Sequence, residues 1–156
     1  MGRSDQPHHA SNVDDRTLFV RTRVAADARS AARARAEFAA WLSRYFTLCD
    51  DRFSDLLLAV NEAIANAAEF AYVDATQRGT VDIRAAYDGA ADTLAMTVDD
   101  RGRWRQKMPA QRHRQMRGRG IPLMEALADE AAIDRTPQGT RVTLTWANLT
   151  RSACNA

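Results

Sequence analysis

Apolar and polar residues along this chain change period several times, and each change marks an element. Residues 17–24 (TLFVRTRV) alternate, with Leu18, Val20 and Val24 on one face, which predicts a first strand. Residues 27–46 (DARSAARARAEFAAWLSRYF) switch to helical spacing, placing Phe38, Trp41, Leu42 and Tyr45 on one face and charges on the other. A second helix is expected from around Ser54 to Tyr72. Asp50, Asp51, Ser54 and Asp55 are available as its caps or dipole partners, and Leu56, Leu57, Val60, Ile64, Ala67 and Ala68 form its buried stripe.

Gln77-Arg78-Gly79 then interrupts the pattern. Residues 80–87 (TVDIRAAY) and 93–99 (TLAMTVD) alternate around Asp88-Gly89, which predicts an antiparallel hairpin. Residues 100–120 have no regular period and read as a long loop, of the kind that carries function in compact domains. A short helix over 121–129 (IPLMEALAD) has Pro122 in its first turn, and strands over 131–135 and 140–147 close the pattern around Pro137-Gln138-Gly139. Residues 1–15 are polar, with Val13 their one large apolar residue after Met1, and read as a mobile tail. With a second tail at 151–156, one folded domain is expected over 16–150. The element order suits an α+β two-layer sandwich, a mixed, mostly antiparallel sheet with helices on one face.

Composition narrows the function classes. A chain of 156 residues with 46% hydrophobic and 27% charged positions is a globular domain, neither disordered nor collagenous. No apolar run nears the ~20 residues that cross a bilayer, and the N-terminus lacks the apolar core of a signal peptide, so a cytoplasmic address without membrane contact is expected. Cys49 and Cys154 lie far apart in no metal or redox spacing, and are expected as reduced thiols. His8-His9 reads as solvated tail, since no other His or Cys lies near it in sequence. The net charge of +2 does not suggest nucleic-acid binding, and Trp104 and His113 in the basic loop leave that only a minor reading. Distribution matters more than the total: no acidic residue occurs from Arg101 to Met124.

Four segments carry candidate chemistry. Glu62 and Asn66, four apart on the second helix, project from one face amid small residues, where a carboxylate and an amide oxygen can share a Mg²⁺ or take a proton from a hydroxyl. Asp99-Asp100-Arg101-Gly102 ends an apolar strand; a carboxylate there can accept from a heterocycle amine, and Gly102 lets a flat ligand approach. Arg117-Gly118-Arg119-Gly120 leads straight into a helix start, a natural phosphate cradle. Gly139-Thr140 opens the last strand. Each segment alone also fits a solvent-facing helix or a plain turn.

Taken together and in this order, 61–72 (NEAIANAAEFAY), 98–104 (VDDRGRW), 117–129 (RGRGIPLMEALAD) and 139–146 (GTRVTLTW) resemble the N box and the three glycine boxes of the GHKL ATPase superfamily. More narrowly, they look like the anti-sigma factor serine-protein kinases of bacterial partner switching, of the actinobacterial type. The resemblance spans about residues 16–148 and implies a Bergerat-type ATP-binding fold, with ATP and Mg²⁺ as cofactors. It implies Glu62 as the catalytic base, Asn66 as the Mg²⁺ ligand and Asp100 as the adenine-binding carboxylate beside Gly102. Gly118 and Gly120, with Arg117 and Arg119, would face the phosphates, and Thr140 would lie near Asp100. Residues 103–119 become an ATP lid with seven basic residues. The sequence departs from the family pattern at Trp104, where a glycine is usual, and at Phe70, where many relatives have histidine.

The resemblance further implies a kinase that phosphorylates a STAS-type anti-anti-sigma antagonist and sequesters a sigma factor. A nucleotide-gated anti-sigma or adaptor module with little kinase activity is the alternative. A homodimer through an exposed first strand is compatible with either.

Overall fold

The computed structural model describes residues 12–74, 77–100, 120–136 and 139–151. Six strands form one sheet in the order β1-β2-β5-β6-β8-β7, and every pairing among them is antiparallel. These are β1 (Asn12–Asp15), β2 (Leu18–Ala25), β5 (Thr80–Asp88), β6 (Thr93–Asp100), β7 (Glu130–Thr136) and β8 (Gly139–Trp146). A short pair, β3 (Tyr72–Asp74) and β4 (Gln77–Arg78), stands where the sequence pattern breaks. The helices are α1 (Ala28–Tyr45), α2 (Asp50–Ala71) and α3 (Gly120–Leu127). The α+β sandwich expected from the pattern is the fold observed. No helix among the described residues is long and apolar enough to cross a membrane.

One face of β5, β6 and β8 feeds a single core. Ile83 and Ala85 on β5, Leu94, Met96 and Val98 on β6, and Val142 and Leu144 on β8 alternate into it. From the other side come Phe38, Trp41 and Leu42 of α1 and Leu56, Val60 and Ile64 of α2. Phe19, Phe38 and Trp41 meet with ring centroids 5.5 to 5.7 Å apart, and truncating one such ring in a core costs about 3–5 kcal/mol. Asp27 caps α1, its carboxylate accepting from the Ser30 N–H at 2.7 Å.

Three local expectations are revised. Asn12–Asp15, read as tail, is the edge strand β1, all four residues being exposed. Its hold on the sheet comes from polar partners: Arg21 bonds both carboxylate oxygens of Asp14 and also reaches Glu37, and the Trp41 indole N–H donates to the Asp15 carbonyl at 2.6 Å. The strand starting at Leu18 is therefore covered by β1 on one side and β5 on the other, and β1 is the edge strand on that side among the described residues. Second, α2 starts at Asp50 rather than near Ser54, with the Phe53 N–H bonded to the Cys49 carbonyl and Asp50 and Asp51 at the positive end of the helix dipole. Third, Cys49 is disulfide-bonded, not a reduced thiol.

Candidate functional site

The site is built on α2 and the elements it packs against, β6, β8 and α3. Along α2, Leu56, Val60, Ala63, Ile64 and Ala67 are buried on the sheet side. Glu62 and Asn66 fall beside that stripe, half-buried and one helical turn apart. The Asn66 side-chain nitrogen is buried and has no hydrogen-bond partner among the described residues. Leaving such a donor unmet costs about 1–3 kcal/mol, so its retention points to a group that arrives from outside. An amide's nitrogen and oxygen are assigned from their partners, so a half-turn of the side chain offers the oxygen at the same place, a hard donor suited to Mg²⁺. Among the described residues no three His, Cys, Asp or Glu side chains converge on a metal, so Mg²⁺ held through Asn66 would take the rest of its shell from phosphate and water oxygens.

Period-two alternation positions the next pair. Asp100 continues the column of Leu94, Met96 and Val98 on β6, and Thr140 heads the column of Val142, Leu144 and Trp146 on β8. The two are directly opposite in register, forming the last rung of the β6–β8 ladder, and are 3% and 8% exposed. A carboxylate and a hydroxyl thus end two apolar columns beneath the helix layer, an arrangement chemically able to accept a hydrogen bond from a donor on a flat apolar ring.

Gly120 is the first residue of α3, whose Met124 is buried and whose Ile121 and Leu127 are packed against the core. The free N–H groups of this first turn suit an anion. Gly102, Arg117, Gly118 and Arg119 lie outside the described residues, as do Trp104 and the rest of the loop 103–119. The side chain of Phe70 also lies outside them. The structure therefore brings Glu62 and Asn66, on α2, onto the elements that carry Asp100, Thr140 and Gly120. It adds one feature that motif reading missed: on the opposite sheet face, Arg141 Nε donates to Asp99 Oδ1 at 2.8 Å, one rung from Asp100 and Thr140. Opposite charges at 99 and 141 are visible in the sequence, but they become neighbours only once the register is known.

The sequence profile of the histidine kinase-like ATPase domain matches residues 24–146, a span that takes in every one of these positions. The chain belongs to the histidine kinase-like ATPase domain family. For members of this family the group to be held is ATP, and the orphaned Asn66 amide and the Asp100–Thr140 rung fit it.

Among solved structures, the RsbU and RsbW domains of Rv1364c from Mycobacterium tuberculosis align at 27% identity with a TM-score of 0.63, covering 83% of this chain and 32% of that one. This histidine kinase-like ATPase domain therefore spans about a third of that relative's length. The histidine kinase domain of a blue-light activated histidine kinase from Erythrobacter litoralis EL346 aligns at 20% identity with a TM-score of 0.47, covering 79% of this chain and 59% of that one.

Proposed function

We propose that this chain is an ATP-dependent protein-serine kinase and anti-sigma factor. It phosphorylates a serine of a STAS-type anti-anti-sigma antagonist and sequesters a sigma factor once that antagonist is modified. The observation that carries the reading is Glu62 one turn from the orphaned Asn66 amide, on the helix that packs against the Asp100–Thr140 strands of a histidine kinase-like ATPase domain. The motif order and the likeness to the RsbU and RsbW domain structure support it.

In this reading Asp100 accepts a hydrogen bond from the adenine amino group, Thr140 adds its hydroxyl, and Gly102 leaves room for the ring. Gly118 and Gly120 present backbone N–H groups to the phosphates, and Arg117 and Arg119 offset their charge. Asn66 holds Mg²⁺ through its amide oxygen. Bound Mg-ATP supplies a γ-phosphoryl group open to in-line attack. Glu62 would accept the proton of the attacking serine hydroxyl as its oxygen bonds to the γ-phosphorus, while the bond from that phosphorus to the β,γ-bridging oxygen breaks and ADP leaves.

Incubation with Mg-ATP and a cognate antagonist should transfer phosphate to the antagonist. Glu62→Ala should stop transfer while ATP binding persists. Transfer unchanged by that substitution would remove Glu62 from the role. Nucleotide binding by the wild type without transfer to any antagonist would instead favour a nucleotide-gated anti-sigma adaptor.

A further inference from the structure

A row of charge crosses the open face of the sheet directly behind the Asp100–Thr140 rung. Asp82 on β5, Asp99 on β6, Arg141 on β8 and Asp134 on β7 are successive cross-strand neighbours. Side chains alternate between faces along a strand, so this row lies away from the helices, one residue out of step with Asp100 and Thr140. Arg141 is the one cation in the row, donating to Asp99 at 2.8 Å and attracted also by Asp134. Asp82 accepts from the Arg23 backbone N–H at 2.8 Å.

Two features give the row consequence. Opposite charges directly across two strands draw them together, and Asp99 and Arg141 face each other across β6 and β8; without Arg141 the facing carboxylates of Asp82 and Asp99 would lose the cation beside them. The rung next door, Asp100 and Thr140, is the last of the β6–β8 ladder among the described residues.

We propose that Arg141, through its ion pair with Asp99, is a positioning residue for nucleotide binding: it holds the end of the β6–β8 ladder closed and so fixes the separation of Asp100 and Thr140. The inference rests on the reading that Asp100 and Thr140 hold the adenine. Arg141 acts from the opposite face and touches no nucleotide. Its side chain is 59% exposed and that of Asp99 28%, so the pair contributes little to global stability and shows itself in binding.

The test measures adenosine and inorganic triphosphate binding at physiological salt, with thermal midpoints, for the wild type and for Arg141→Gln, Arg141→Lys, Asp99→Asn/Arg141→Gln and Asp100→Ala. Adenosine is uncharged, so its affinity reports the geometry of the rung rather than the lost positive charge. Arg141→Gln should weaken adenosine about two- to fivefold, with triphosphate affinity and thermal midpoint unchanged. Arg141→Lys should keep most of the affinity. The double variant should bind adenosine better than Arg141→Gln alone, because Asp99 no longer repels Asp82 and Asp134 is further away.

Wild-type adenosine affinity in Arg141→Gln, or a loss shared equally by triphosphate, would overturn the inference. Asp100→Ala separates the two levels. If it leaves adenosine affinity intact, the adenine reading itself fails; if it weakens adenosine while Arg141→Gln does not, only the role of Arg141 fails.

Discussion

The Arg21 guanidinium grips the Asp14 carboxylate through two bonds, Nη1 to Oδ1 at 2.6 Å and Nη2 to Oδ2 at 2.9 Å, and this pair ties the edge strand β1 to the rest of the sheet. Arg21 is 8% exposed, lies over the Phe19 ring and also binds Glu37 of α1. One side chain thus joins edge strand, sheet and helix.

Arg21→Ala should destabilise the domain by about 1–3 kcal/mol, since it leaves two carboxylates facing each other without their shared cation. The loss should appear in urea unfolding, together with faster amide exchange over Asn12–Asp15. Unchanged stability would mean that backbone pairing alone holds β1.

Acid should weaken the same fold through identified carboxylates. Arg21 beside Asp14 holds that carboxyl below the usual carboxylate range. For Asp92, burial by itself pushes the carboxyl up, but hydrogen bonds from the Tyr87 hydroxyl at 2.7 Å and from Thr150 outweigh it, and the net shift is downward. A depressed folded-state pKa gives stability that is present above the unfolded carboxylate value and is lost as pH falls through the folded one. The thermal midpoint should therefore drop from about pH 4 downward. Asp92→Asn should cost about 1–3 kcal/mol at neutral pH and flatten that acid limb. An acid limb as steep as the wild type's would take Asp92 out of it.

Where sequence patterning succeeded and where it did not follows from the range of the interactions. The alternation in β5, β6 and β8 and the stripes of α1 and α2 were legible because burial sets them residue by residue. β1 was not, because NVDD has no apolar period and owes its place to Arg21 and Trp41, 7 and 26 residues from their partners. The start of α2 is not marked in the sequence, because acidic residues at 50 and 51 fit a loop as well as a first turn. At the site, Glu62, Asn66, Asp100 and Thr140 can be named from motif spacing, but the burial of the Asn66 amide nitrogen away from any partner among the described residues appears only in three dimensions. The Asp99–Arg141 pair depends on strand register, which spacing alone does not give.

Asn66→Ala should separate stability from function. The substitution removes a buried donor that has no partner among the described residues, so the thermal midpoint of the ligand-free protein should hold or rise. Affinity for Mg-ATP should fall about tenfold or more, the loss expected for one polar contact to a charged group. A clear drop in the ligand-free midpoint with unaltered Mg-ATP affinity would make Asn66 a packing residue.

In the function proposed above, the carboxylate ending β6 reads the base of ATP. The measurement that tests it most directly is the affinity of ATP for the wild type and for Asp100→Ala, by titration calorimetry on proteins whose folding is checked by circular dichroism. A loss of about tenfold or more is expected in the variant, with the fold retained. Equal affinities in the two proteins would contradict it.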